Sequence, residues 1–214
     1  MITQTMSPEE IKEAVLADYA EVFYYSDTKD SAFRKRVKKA SVFPVRAYSL
    51  YTSKSKNTWM ILFEALSRKH VNDNAFLKFI CYANFKNGYH VYFITRFKNN
   101  ETVLAIYPPH FFQRYAQRNK VDKSGLELIR HYMERNYNSM IFAEEVDEQE
   151  LLQGTTEEGI SLGLKISEKV FVYKTFISWD MSFEDQKKHR IPFSEALAEL
   201  KKEEDEIVRK GLYT

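Results

Sequence analysis

The chain has little cysteine, glycine and proline, and each shortage excludes a class of structure. A single cysteine, Cys81, excludes an internal disulfide and any zinc site built on cysteine pairs, which is typical of a reducing compartment. With only 6 glycines and 5 prolines in 214 residues, a long flexible linker is not expected. No apolar run approaches the ~20 residues of a membrane helix, and the first residues lack a signal-peptide pattern. We therefore expect a cytoplasmic protein that does not enter the membrane.

Basic and acidic residues are also nearly equal in number. The 32 basic and 30 acidic residues leave a net charge of +2, so any surface that binds a polyanion must be local. The 5 histidines are scattered without the spacing of metal ligands, and no phosphate-binding glycine loop or serine nucleophile elbow is present. We therefore expect no metal and no cofactor. What the chain does have is aromatic residues, 16 Phe and 14 Tyr, which predict a core rich in rings.

The apolar pattern predicts an α+β fold with a mainly antiparallel sheet. Residues 77–107 indicate a three-stranded meander, because Asn87-Gly88 supplies the positive φ of a tight hairpin between aromatic and β-branched runs. Residues 159–178 alternate as a second hairpin. Residues 58–66 are apolar throughout, so periodicity leaves strand and helix open there.

Helices are predicted before, between and after these strands. Ser7, Pro8 and Glu10 form the signature of a capping box at the start of an N-terminal helix. Pro109 can open a short helix, and a second helix is predicted at about residues 124–137. Two further helices are predicted at the C-terminus. The expected organisation is a single domain with a helical and basic portion at 1–70, a sheet core at 77–180 and C-terminal helices at 181–214.

The segment YPPHFFQRYAQRN, residues 107–119, carries the most informative motif. Its His110, Arg114 and Arg118 lie above one another on a helix, since each four-residue step advances only ~40°. They occupy the seam between the apolar arc and solvent, where clefts form. The three side chains can therefore act on one ligand. The alternative is structural, with arginines that cap carbonyl groups or pair with acids.

A second basic stretch, SAFRKRVKKA, spans residues 31–40. Phe33 and Val37 are its predicted inward residues. The pattern is typical of a solvated helix face, and the alternative is contact with phosphate. The basic residues concerned are Arg34, Lys35, Arg36, Lys38 and Lys39.

The pattern H-x3-R-x3-R at the start of a helix, followed by a second helix, a strand with glycine and a strand with threonine, resembles a group of small bacterial proteins of unknown function. They are grouped with the barnase, EndoU and RelE-like ribonuclease fold. The resemblance implies metal-independent attack of a ribose 2′-hydroxyl on the adjacent phosphate, with the histidine moving protons and the arginines stabilising charge. The matching residues, all within 101–180, are His110, Arg114, Arg118, Gly159, Gly163, Lys174 and Thr175.

Strand alternation predicts that Thr175 shares a face with Tyr173, and that Lys174 shares the other face with Phe176. Only one of Thr175 and Lys174 can then face the motif, and the alternation does not choose between them. The predicted catalytic residues are His110, Arg114, Arg118 and Thr175, and the predicted RNA contacts are Arg34, Lys35, Arg36, Lys38, Lys39 and Lys174.

Three functions follow from these patterns. The first is an RNA-directed, ribonuclease-like protein that uses the motif. The second is a non-catalytic interaction or structural protein, in which the same residues support the fold and a protein partner docks elsewhere. The third is a small-molecule binder with an aromatic pocket.

Overall fold

The computed structural model describes residues 1–71, 76–96, 102–136, 140–146, 149–182 and 184. Within these residues nine strands form one sheet, and three α-helices pack on it. The α-helices are α1 (Pro8–Lys39), α2 (Pro109–Asn119) and α3 (Gly125–Arg135). The strands are β1 (Val45–Thr52), β2 (Thr58–Ala65), β3 (Phe76–Phe85), β4 (Gly88–Arg96), β5 (Thr102–Tyr107), β6 (Met140–Val146), β7 (Gln149–Thr155), β8 (Gly159–Ser167) and β9 (Val170–Ser178).

The strand order β1-β2-β3-β4-β5-β9-β8-β7-β6 divides the sheet into two antiparallel meanders. They meet where β5 and β9 run parallel, over three residue pairs from Leu104 with Val170 to Ile106 with Val172. The protein is therefore α+β with a mostly antiparallel sheet, as the sequence predicts. The predicted meander and the predicted hairpin correspond to β3–β5 and to β8 with β9.

Helix α1 begins with the predicted capping box. The Ser7 hydroxyl accepts a hydrogen bond from the Glu10 amide at 3.2 Å, and the Ser7 amide donates to the Glu10 carboxylate at 2.7 Å. The helix continues through the basic stretch, where Phe33 and Val37 are buried as predicted. Its last turn is basic, which opposes the partial negative charge of a helix C-terminus.

The sheet is covered on both faces, and this explains the ambiguous apolar segment at 58–66. On β2, Trp59 and Ile61 belong to the core beneath α1, whereas Met60 and Leu62 belong to the core beneath α2 and α3. A strand buried on both faces needs apolar residues at successive positions, so residues 59–63 show no alternation.

The structure differs from the predicted organisation in two parts. The helical portion expected at 1–70 holds for α1 but not for residues 45–65, which form β1 and β2. Strands β6 and β7 add a hairpin that the sequence pattern does not predict. The two predicted C-terminal helices lie outside the described residues.

Helix α2 lies where β5 ends. Tyr107, the last residue of β5, pairs with Val91, and Pro109 opens the helix as predicted. Because β9 continues to Ser178 beyond its last pairing with β5, α2 packs beside the edge of β9 that β5 leaves unpaired. The start of β4 is close on the other side: a Cβ added to Gly88, at φ +117°, would lie 3.1 Å from the Pro109 Cβ.

Candidate functional site

The three residues His110, Arg114 and Arg118, here called the basic row, do not share one environment. His110 and Arg114 are exposed and make no hydrogen bond or ion pair to any residue that the structure describes. Arg118 is half-buried and donates from Nη1 to the Thr175 hydroxyl at 3.3 Å and to the Phe176 carbonyl oxygen. Two members of the basic row are therefore available to a ligand, and the third is held by the protein.

The position of β9 explains the bonds of Arg118. Beyond Val172 no described strand lies beside β9 on its β5 side, and α2 takes that place. The guanidinium of Arg118 supplies a donor there, because a buried carbonyl without one costs about 1–3 kcal/mol. Burial lowers the pKa of Arg118, and the charge of Arg114 lowers it further. The group stays protonated at neutral pH.

The predicted faces of β9 are wrong because the strand contains a β-bulge. Tyr173 pairs with Gly163 and Thr175 pairs with Leu162, so Lys174 is an extra residue in the ladder. Tyr173 and Phe176 consequently lie in the same core. Because of the bulge, Thr175 rather than Lys174 lies beside the basic row.

Thr175 contacts the basic row through Arg118, whereas Lys174 is exposed in the bulge. The glycine in the neighbouring strand was a usable signal for this bulge. A Cβ on Gly163 would lie 2.5 Å from the Val172 carbonyl oxygen, so no other residue fits there without a shift.

His90, which was not among the predicted site residues, lies on β4 beside the start of α2. Its Nε2 contacts the Asn87 Oδ1 at 3.2 Å. Burial lowers the pKa of His90, and the neighbouring His110 lowers it further, so His90 is neutral at pH 7. The predicted meander contained the signal, since the start of β4 must lie beside the end of β5 and thus beside His110.

The basic stretch at 34–39 does not join the basic row. Arg34 forms an ion pair with Asp30, and Arg36 donates to the Arg46 carbonyl oxygen at 3.4 Å. Lys35, Lys38 and Lys39 are exposed around them. These residues therefore sit near the start of β1.

The strand register places the row at the other end of the sheet. Tyr107 is level with Val91, Tyr82, Thr58 and Thr52 across the five strands. Strand spacings put the start of β1 roughly 20 Å along the strands and about 19 Å across them from the end of β5. The two basic groups cannot line one short groove.

A third polar cluster surrounds Glu158 at the turn before β8. Its carboxylate accepts hydrogen bonds from Tyr115 at 2.5 Å, Arg135 at 2.5 Å and Asn136 at 2.8 Å. Burial alone would raise the pKa of Glu158, but these hydrogen bonds outweigh it and hold the pKa below its usual value. Because all three partners come from α2, α3 and the residue after α3, the cluster joins these helices to the sheet.

Within the described ranges, no three His, Cys, Asp or Glu side chains are grouped so that they could hold a metal ion. No helix there is long and apolar enough to cross a membrane. Comparisons with protein-family models, with curated proteins and with solved structures find no match for this chain.

Proposed function

We propose that the chain is an RNA-directed protein that cleaves phosphodiester bonds without a metal ion, as its resemblance to the barnase, EndoU and RelE-like ribonucleases implies. The supporting observation is the difference within the basic row. His110 and Arg114 are exposed one helical turn apart and have no partner among the described residues, whereas Arg118 fixes their helix to β9.

The chemistry assigned to this row is transfer of the phosphoryl group within RNA. The ribose 2′-oxygen forms a bond to phosphorus as a base removes its proton. The bond from phosphorus to the 5′-oxygen breaks, and an acid donates a proton to that oxygen, which leaves a cyclic phosphate and a 5′-hydroxyl. His110 is the proton-transfer residue, and Arg114 stabilises the charge that develops on the phosphate oxygens. His90, whose pKa is lowered beside His110, is a candidate for the base that removes the 2′-hydroxyl proton, and His110 is then the acid that donates a proton to the 5′-oxygen.

The surrounding residues have supporting roles in this proposal. Thr175 and Arg118 position α2, and Arg118 presents its remaining N–H groups toward the phosphate. Lys174, exposed beside Thr175, contacts the RNA backbone. The residues at 34–39 contact a more distant part of a longer RNA, because they lie at the other end of the sheet.

The test is cleavage of mixed RNA in a metal chelator by the wild type and by His110→Ala. We expect the variant to lose at least about 100-fold in rate, the lower limit for removal of a general acid or base. A matched control is Gln117→Ala, which alters an exposed residue of the same helix. Absence of cleavage by the wild type refutes the nuclease, and equal cleavage by wild type and variant removes His110 from the mechanism.

A second candidate is a non-catalytic interaction protein, and the outer strand β1 favours it. Tyr48 and Leu50 are 44% and 46% exposed on this strand, which pairs only with β2 in the described chain. An apolar edge strand is a template for another strand. In this case we expect a second copy to pair there, and Leu50→Lys to lower self-association in sedimentation equilibrium while His110→Ala has no effect.

A further inference from the structure

A cavity of about 380 Å³ lies between α2 and α3. The side chains of Phe112, Leu128 and Ile129, all buried, form its apolar floor. Its volume falls in the range of roughly 300–1,000 Å³ that is typical of sites for small organic molecules. Because Phe112 is about 160° around the helix from Arg114, the cavity and the basic row lie on opposite sides of α2.

One wall of the cavity is aromatic and fixed in position. Tyr89 lines it and packs edge to face on Tyr82, with ring centroids 5.9 Å apart. Gly125, at φ +54°, faces this ring, and a Cβ added there would lie 3.6 Å from Tyr89 Cε2. A flat aromatic ligand can therefore pack against a ring that is already held in place.

The mouth of the cavity is polar and carries positive charge. Lys123, Gln113 and Ser124 line it and are exposed, and no carboxylate is among the described residues that line the cavity. The acid in the first turn of α3, Glu127, is paired with Arg130 at 2.6 Å. The mouth also lies at the start of α3, where backbone amides lack partners within the helix. An anionic group is thus favoured at the mouth, and an apolar body at the floor.

We propose that this cavity binds a small organic acid with a flat aromatic body and one carboxylate. The ring lies against Tyr89 and Phe112, and the carboxylate lies at Lys123. The inference does not depend on the proposed ribonuclease, because the two sites use opposite sides of α2.

Calorimetric titration with naphthylacetate and with the neutral naphthylacetamide tests both parts of this proposal. We expect the acid to bind one-to-one and the amide to bind about three- to fivefold more weakly, as for one partly exposed ion pair. Lys123→Gln should lower the affinity for the acid toward that of the amide and leave the affinity for the amide unchanged. Ala116→Leu, which adds a side chain to the cavity wall, should weaken both by at least about tenfold. Arg114→Gln, on the opposite side of α2, should change neither.

The proposal is overturned if the acid does not bind, if the two compounds bind equally, or if folded Ala116→Leu binds like the wild type. Should Ala116→Leu fail to fold, amide chemical shifts of the wild type give an independent readout. Naphthylacetate must then shift Phe112, Lys123 and Leu128, and shifts confined to other residues overturn the proposal.

Discussion

In one region of the molecule an ionisable side chain is buried and hydrogen-bonded, and in another the ionisable side chains are exposed and have no partner among the described residues. Asp18 on α1 is 2% exposed, and its carboxylate accepts hydrogen bonds from Ser53 at 2.7 Å, Asn57 at 2.8 Å and Trp59 at 3.3 Å. In the basic row, His110 and Arg114 are exposed and have no partner in the described chain. The comparison separates polar groups that the fold itself uses from those left for a ligand.

The Asp18 network shows what a purely structural charge looks like. Its Asn57 side chain also accepts a hydrogen bond from the Ile2 amide at 2.7 Å, so the loop after β1, the chain start and α1 are tied together. Burial alone would raise the pKa of Asp18, but the hydrogen bonds outweigh it and hold the pKa below its usual value. Like Asp18, Arg118 is hydrogen-bonded within the fold, whereas its neighbours in the basic row are exposed.

The largest effect should come from Asp18→Ala. The substitution leaves the donors of Ser53, Asn57 and Trp59 without their acceptor, so we expect a loss of about 3 kcal/mol in the free energy of unfolding. Urea denaturation measures it. Asp27→Ala, at an exposed position of the same helix, should change the value by no more than about 0.5 kcal/mol. Similar losses of unfolding free energy in both variants would contradict the structural role assigned to Asp18.

Within the basic row, Arg118→Ala and Arg114→Ala should differ. The first leaves the Phe176 carbonyl oxygen without a donor, and we expect it to lower the free energy of unfolding by about 1–2 kcal/mol. The second removes an unpaired exposed group, with an expected change below about 0.5 kcal/mol. The two variants control for each other in urea denaturation, and equal stabilities would contradict the assigned roles.

Acid should remove the stability that the two hydrogen-bonded carboxylates, Asp18 and Glu158, contribute to the fold. The pKa values of Asp18 and Glu158 are lowered in the folded state, so the unfolded state binds protons first as pH falls. Their contribution to stability is full above the unfolded values, near 3.8 and 4.5, and is lost as pH falls below them. Urea midpoints measured from pH 6 to pH 3 should decline, less steeply in Asp18→Asn. An unchanged slope in this variant would mean that Asp18 titrates alike in both states.

The smallest stability effect is expected for the distant basic residues. The double variant Lys35→Gln, Lys39→Gln should change the free energy of unfolding by at most about 0.5 kcal/mol, the size of a helix-end charge effect. If these lysines contact RNA, the salt dependence of RNA affinity should decrease by about one to two in log–log slope. Filter binding over a range of salt concentrations measures this slope. An identical slope would assign these residues to a solvated helix face.

Local chemistry explains which parts of the fold were predictable. The capping box at Ser7 and the hairpin at Asn87-Gly88 each depend on a few adjacent residues, and both occur as predicted. Strands β6 and β7 contain Glu144, Glu145 and Glu150, residues that are depleted in strands, so their own propensity does not indicate the hairpin that forms. Pairing with β8 stabilises it instead.

For the candidate site, too, local sequence predicts some features, and others depend on how distant strands pair. Helical spacing was sufficient to place His110, Arg114 and Arg118 on one helix face. The contact of Arg118 with Thr175 depends on the parallel pairing of β5 with β9, which no short segment encodes, and on the bulge at Lys174, for which Gly163 in the neighbouring strand is a signal. The separation of the basic row from the stretch at 34–39 likewise follows from the order and register of the strands.

The place of α2 beside β9 has a consequence for how the molecule assembles. Arg118 and Thr175 are 57 residues apart in the chain, so the row acquires its anchor only after the two meanders have found each other. Closing a loop of that length costs about 3–4 kcal/mol of chain entropy, whereas each meander can form from neighbouring hairpins. During refolding, protection of the Arg118 contact should therefore emerge in the last kinetic phase, after both halves of the sheet already resist hydrogen exchange.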